Sequence, residues 1–269
     1  VNKFFARLFD YPGPLWKLSS ALGFVVIALS VVVWTTFICF GSYVLRVSRS
    51  TQTRLVRSWL EVVCRSHGIR FLIEGAELHD PSKPALLVSN HQSLYDIPAV
   101  FSAIHGDVRM LAKKELFEIP LFGRSMQVVE MIPIQRESQK SSREASERVR
   151  NQIRSGLQVW LAPEGTRSRD GKLGNFKRGS FALAIQAGVP VQPIVVLDSR
   201  FAVVKGSLWA RPGSLIHVRV LAPISTEGLT IDDRAALSEK VRAVMAEALE
   251  EGTARVARSG RFGSPSRPV

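Results

Sequence analysis

The chain has 269 residues, room for one sizeable domain and an appendage, and hydrophobic residues make up 46% of it, enough for a packed core and something more apolar. A formal net charge of +13 directs it toward anionic partners, a phospholipid surface or a nucleic acid. Only Cys39 and Cys64 occur, one in an apolar run and one on an amphipathic stretch, without the spacing of metal ligands, which excludes a disulfide framework and a zinc or other metal site.

Residues 1–17 mix Lys3, Arg7 and Lys17 with Phe4, Phe5, Phe9, Tyr11 and Trp16, a composition suited to a membrane interface. The next 28 positions, Leu18 to Leu45, carry no charged side chain, and about 20 apolar residues suffice to cross a bilayer. A cleavable signal would have a shorter apolar core and a small-residue cleavage site, so this segment reads as retained. Arg46, Arg49, Arg54 and Arg57 make its second flank basic as well. Two basic flanks leave two readings: a span with its C-terminal side in the cytoplasm, or an element that enters and leaves one leaflet. From Leu55 on, Leu55, Val56, Trp59, Leu60 and Val63 recur at helical spacing with Arg54, Arg57 and Arg65 elsewhere. The pattern is an amphipathic helix, either lying at a membrane interface or packing on the core of the domain that follows.

From Gly68 short apolar runs alternate with helical stretches, which predicts an α/β domain. Strands are expected at Arg70–Glu74, Ala85–Val88, Val108–Ala112, Val128–Gln135, Gln158–Ala162, Val191–Leu197 and Leu215–Val220. Ser138–Ser155 is a polar helix anchored by Val149 and Ile153 and closed by Gly156. Ser168–Lys177 is a loop, Ser180–Ala187 a helix ended by Gly188, and Thr230-Ile231-Asp232-Asp233 a capping box for a last helix that sets Leu237, Val241, Val244, Met245 and Leu249 on one face. The tail from Arg255 mixes Arg with Gly, Ser and Pro and reads as disordered. No internal repeat, Gly-x-Ser-x-Gly, P-loop or dinucleotide fingerprint occurs.

The run Leu86-Leu87-Val88 stops at Ser89-Asn90-His91, so a buried strand should end at a polar turn that presents a histidine. Asp96 lies five residues on, about 500° around a helix, so the two cannot pair within one regular helix. They can pair if His91 sits in the turn and Asp96 in the first helical turn, and Pro98 places that helix start near Ser93–Ile97. An imidazole held by a carboxylate is the arrangement of a general base. The alternative is that Asp96 is only a helix cap, alone or with Ser93.

Four segments in one order carry more. Asn90-His91-x4-Asp96, Ile132-x-Ile134-x-Arg136, Pro163-Glu164-Gly165-Thr166-Arg167 and Val189-Pro190-Val191-x-Pro193 resemble the four blocks of the glycerolipid acyltransferases, specifically the 1-acylglycerol-3-phosphate acyltransferases. Lys114-Glu115-Leu116 through Gly123 and Phe176-Lys177-x-Gly179 are similar to that family's connecting segments, and the resemblance extends over Pro84–Ile224. Glu130 departs from it, standing where many members have glycine, and Ala162 replaces a frequent aromatic.

Composition and periodicity divide the chain into membrane-anchoring helices over 1–66, an α/β domain over 67–252 and a disordered basic tail over 253–269, and the resemblance implies that the middle part is a single mixed-sheet acyltransferase domain flanked by helices. It implies His91 as general base and Asp96 as its orienter, with Arg136, Glu164, Gly165, Thr166, Arg167 and Lys177 lining the acceptor site. It implies no cofactor, with acyl-CoA or acyl-carrier protein as co-substrate and lysophosphatidate as acceptor at a phospholipid membrane. The expected place is the cell membrane, with the site on the cytoplasmic side. Other acceptors remain open: another lysophospholipid, glycerol 3-phosphate or an acylated amino-acid lipid. So does a non-catalytic membrane adaptor, against which the intact His91, Asp96, Glu164 and Arg167 argue. A nucleic-acid partner is not expected, because the aromatics cluster in the N-terminal apolar region and not among the basic loops.

Overall fold

The structure is a computed structural model that describes residues 14–135, 138–168, 170–203 and 210–258. In chain order the elements are α1 (Pro14–Tyr43), α2 (Arg49–Ser66), β1 (Arg70–Glu74), β2 (Leu86–Ser89), α3 (Asp96–Ala103), β3 (Val108–Lys113), α4 (Phe122–Val128), β4 (Ile132–Ile134), α5 (Gln139–Arg154), β5 (Gln158–Leu161), α6 (Arg178–Ala187), β6 (Val191–Leu197), α7 (Ser199–Ala202), β7 (Leu215–Val220) and α8 (Arg234–Arg258). The strands form one mixed sheet in the order β1-β7-β6-β2-β5-β3-β4, in which only the β6–β7 pair is antiparallel.

The central strands are buried on both faces, and their two-residue period divides the core into two layers. Leu87, Trp160, Ile194 and Val196 enter one layer with α2 and α3, while Leu86, Val88, Val159, Leu161, Val195 and Leu197 enter the other with α5, α6 and α8. Local signals start and end the helices, at Gly188 and the Thr230–Asp233 capping box as the sequence predicts. Ser48 accepts from Thr51 N at the start of α2, Gly188 (φ 65°) closes α6, and the Thr230–Asp233 capping box precedes α8. The last helix continues to Arg258, past residues 253 and 255 where the tail was expected to begin.

The amphipathic helix α2 packs on the domain: Val56, Leu60 and Cys64 are buried in the first core layer together with Ile38 of α1. The stripe at helical spacing is therefore covered by protein. The two N-terminal helices are also joined by polar contacts, Trp59 Nε1 to Ser30 Oγ (3.0 Å) and Gln52 Nε2 to Ser42 Oγ (3.0 Å). Within α1 the 19 residues Val25–Tyr43 are long and apolar enough to cross a membrane, and Leu22, Val25, Leu29, Val33, Phe37 and Phe40 are exposed.

One predicted strand is shorter than its hydrophobicity suggests. Val128–Gln135 contributes only Ile132–Ile134 to the sheet, because Met126, Val129 and Met131 are buried around the end of α4 and not in a strand face. The helix is closed by Glu130 N to Gln127 O and Met131 N to Met126 O, which turns Glu130 into the left-handed region (φ 57°). That conformation suits glycine. Here the side chain supplies a reason for its presence: Arg49 of α2 grips the Glu130 carboxylate through two nitrogens (2.9 and 2.8 Å), and the guanidinium of Arg109, 1% exposed on β3, lies 3.7 Å from it. Among the described residues Arg109 otherwise donates to Thr53 Oγ1 and Val108 O. Glu130 is thus the counter-charge for a buried cation, and such a cation left alone is costly. Glu130→Gln should lower stability by about 1–2 kcal/mol, because the carboxylate is partly exposed and its attraction screened. Glu130→Gly should lose less, since relaxing the left-handed residue returns up to about 1 kcal/mol. Urea unfolding of both variants in detergent checks the order.

Candidate active site

At the end of β2 the chain leaves the sheet through a set of buried polar contacts. Ser89 Oγ accepts from Trp160 Nε1 (3.0 Å) and donates to Asn90 O (2.9 Å). The Asn90 side-chain amide then pairs with both backbone groups of Val196 on β6 (2.8 Å each), carrying the β2–β6 ladder one step past the last strand residue. With Asn90 used in this way, His91 is the first residue free of the sheet.

His91 Nδ1 lies 2.7 Å from Asp96 Oδ2, where Asp96 begins α3 and is wholly buried. The same oxygen accepts from the amides of Gln92 (2.6 Å) and Ser93 (2.9 Å), and Oδ1 accepts from Ser199 Oγ (2.5 Å). One carboxylate thus satisfies two amides of the turn before α3 and also holds the imidazole, while α3 itself starts without a side-chain cap. A carboxylate so surrounded is an acceptor only, which assigns the imidazole proton to Nδ1 and leaves the Nε2 lone pair for a proton from outside. The side chain of His91 keeps 16% of its surface open, so an incoming hydroxyl can reach it.

The turn after β5 locks this arrangement from the other side. Glu164 Oε1 accepts from His91 N (3.0 Å) and Oε2 from Gly174 N (2.9 Å), while Ser168 N donates to His91 O (2.7 Å). The backbone of His91 is thus tied at both ends to the Pro163–Ser168 segment. Gly165 takes φ 73°, and a Cβ there would fall 2.8 Å from Lys177 Cε, so the lysine lies directly across the glycine. Thr166 is exposed, Arg167 half-buried and Lys177 exposed. The structure therefore gathers His91, Asp96, Glu164, Gly165, Thr166, Arg167 and Lys177 around the C-terminal ends of β2 and β5, where ligands meet parallel strands. Arg136 lies outside the described residues. Glu164 is spent on two amides, a tie between the His91 turn and the following loop. Ser199 was not singled out by any motif, because its only signal is a partner 103 residues away. Among the described residues no group of three or more His, Cys, Asp or Glu could hold a metal ion.

Beyond the turn, Leu94, Tyr95, Ile97 and Pro98 form one wall of a cavity of about 320 Å³. Trp34 and Ile38 of α1, Trp59 and Leu60 of α2, and Met110 and Met131 complete a lining that is almost wholly apolar. Volume and lining suit a hydrocarbon chain.

The family model described as Acyltransferase matches residues 70–197. The chain is similar to 1-acyl-sn-glycerol-3-phosphate acyltransferase alpha of Homo sapiens, at 35% identity over 211 residues that cover 78% of this chain and 73% of that one. It is 31% identical over 191 residues to a putative 1-acyl-sn-glycerol-3-phosphate acyltransferase, acl-2, of Caenorhabditis elegans, covering 71% and 68%. The crystal structure of the 1-acyl-sn-glycerophosphate (LPA) acyltransferase PlsC from Thermotoga maritima superposes with a TM-score of 0.75 at 23% identity, over 92% of this chain and 98% of that one, and shares the fold.

Burial outweighs the two amide donors at Glu164 and holds its carboxyl above the ordinary 4.5. The unfolded chain therefore releases this proton at lower pH than the folded one, so ionising Glu164 lowers stability as pH rises from about 4.5 through the folded value. Glu164→Gln removes that dependence. Urea unfolding at successive pH values should show the wild type losing stability relative to the Gln variant across this window, and a difference that grows in favour of the wild type would contradict the assignment.

Proposed function

This chain belongs to the 1-acyl-sn-glycerol-3-phosphate acyltransferase family, and on that footing we propose that it moves an acyl group from a thioester to the sn-2 hydroxyl of 1-acylglycerol 3-phosphate, giving phosphatidate at a membrane. The observation that carries the reading is the His91–Asp96 pair, whose chain neighbours Leu94, Tyr95, Ile97 and Pro98 line an apolar cavity. A thioester is already activated, so the reaction needs a base for the attacking hydroxyl and a place for the chain. His91 Nε2 takes the proton as the hydroxyl oxygen bonds to the thioester carbonyl carbon, and Asp96 stabilises the imidazolium. When the carbon–sulfur bond breaks, the departing thiolate takes that proton, and the ester and the free thiol leave.

The donor is acyl-CoA or acyl-carrier protein. Arg167 binds the acceptor's phosphate, for which a guanidinium offers paired donors, and Lys177 adds positive charge across Gly165; Arg136 is assigned to the acceptor by the resemblance alone. The cavity takes an acyl chain, avoiding about 0.8 kcal/mol for each methylene kept from water. The exposed apolar side of Val25–Tyr43 docks the chain on the membrane, with Leu94, Ile119 and Leu121 as exposed apolar residues of the catalytic domain, and the site lies on the cytoplasmic side. The head group would then reach the His91 turn while both acyl chains stay in apolar surroundings.

Acyl-transfer assays with the purified full chain, several lysolipids, glycerol 3-phosphate and both donor types test this reading. His91→Ala should cost on the order of 10²–10⁴-fold in turnover with the fold intact, and Asp96→Asn should also cost turnover by leaving the ring badly held. Near wild-type turnover in either folded variant would remove the assignment. Arg167→Ala should raise KM for a phosphate-bearing acceptor more than for the donor, with Lys at this position rescuing only in part. Equal effects on both substrates would make Arg167 structural.

A further inference from the structure

Asp96 is surrounded unevenly. Three of its four donors, His91 Nδ1, Gln92 N and Ser93 N, come from adjacent residues and converge on Oδ2. Its other oxygen, Oδ1, receives the hydroxyl of Ser199 at 2.5 Å. Rotation about the bond to the carboxyl carbon is soft, so donors on one oxygen leave the plane of the group loosely set. A donor on the second oxygen fixes it.

Ser199 reaches that position through an unusual turn. β6 ends at Leu197, and Asp198 adopts φ 67°, a left-handed conformation that few residues other than glycine take. The turn starts α7 with Ser199 completely buried under the site. Asp198 itself is half-buried, with His217 of β7 and Arg200 as its charged neighbours. Backbone held in a sparsely populated conformation beside a reactive pair is an observation that asks for a role.

We propose that Ser199 is a positioning residue for the transfer, whose hydroxyl pins the Asp96 carboxylate so that Oδ2 stays on His91 Nδ1 through the reaction. The proposal rests on His91 acting as the base. Its consequence has a direction. Without the Ser199 donor the Asp96 carboxylate is free to turn away from Nδ1, so the imidazolium that forms as His91 takes the proton is held less well. The other charged groups of the neighbourhood are Glu164 and Arg167 from the turn after β5, Lys177 across Gly165, and Asp198, Arg200 and His217 beyond Ser199. None of them is altered by a change at Ser199.

The test uses the full chain in phospholipid and detergent mixed micelles, with lysophosphatidate and acyl-CoA as probes. Ser199→Ala should lower kcat about tenfold, the size of a lost hydrogen bond to a charged group, with KM for both substrates within about twofold of wild type. The acid limb of the kcat/KM profile, which reports the base in the free enzyme, should move to lower pH. Ser199→Cys, close in shape but a poorer donor, should move both quantities the same way by less, and it keeps the test available if the Ala variant folds poorly. Wild-type kcat and an unmoved limb in either folded variant overturn the proposal, as does a lower kcat with the limb unmoved. His91→Ala serves as the separate control: if it is inactive while Ser199→Ala is unaffected, only the role of Ser199 falls, and if it keeps its turnover the base assignment falls first.

Discussion

A carboxylate removed from water must have its oxygens satisfied by donors, or the structure that buries it does not hold. Asp96 meets this condition with four donors from two parts of the chain, and much of the neighbouring architecture follows from their placement. The turn at 91–93 must curl so that two amides and an imidazole face one point. The start of α3 must bring Asp96 to that point, and the left-handed residue before α7 must bring a hydroxyl to the opposite oxygen. Asn90 removes the remaining freedom by extending the sheet up to the residue before the histidine.

The parts of this arrangement that the sequence makes legible are those encoded within a few residues. His91 and Asp96 are five apart, the strand before them is a plain apolar run, and the capping box and Gly188 mark helix ends by local chemistry. The central strands could be read because burial on both faces makes them mostly apolar, with Ser89, Gln158 and Gln192 as the buried polar exceptions in β2, β5 and β6. What could not be read depends on distant partners. Glu164 looks like a residue for substrate, and only the fold brings Gly174 N and His91 N to its two oxygens. Ser199 follows a strand with no local mark of its role. The excess length of the predicted strand at 128–135 has a similar origin, since Met126, Val129 and Met131 are apolar for a helix end and not for a sheet.

The N-terminal helices illustrate how one pattern supports two functions. Helical spacing of Val56, Trp59, Leu60 and Val63 fits a membrane surface as well as a protein core, and composition does not separate them. The structure buries Val56 and Leu60 against the sheet layer that also holds Ile38, so α1 and α2 belong to the core of the catalytic domain. A chain begun at Gly68 would expose that layer. Whatever α1 does toward lipid, it does as a part of the packed molecule, and Glu130 adds an ionic tie between α2 and the sheet edge near β4.

The short helix α3 connects these regions physically. Its first residue is Asp96, its middle residues Ile97, Pro98 and Phe101 line the apolar cavity, and its C-terminal carbonyls are held by α2. There Arg57 donates to Phe101 O (3.0 Å) and Ile104 O (2.7 Å), and also to Gly106 O (2.8 Å), satisfying groups that the end of any helix leaves without partners. One element of eight residues is therefore fixed at one end by the His91 turn and at the other by α2. Because it is fixed at both ends, the wall of the cavity cannot shift without moving either the Asp96 carboxylate or the Arg57 contacts. On the function proposed for this chain, that rigidity keeps the space for an acyl chain in register with the imidazole, and the distance from base to thioester is set by the fold before any substrate arrives.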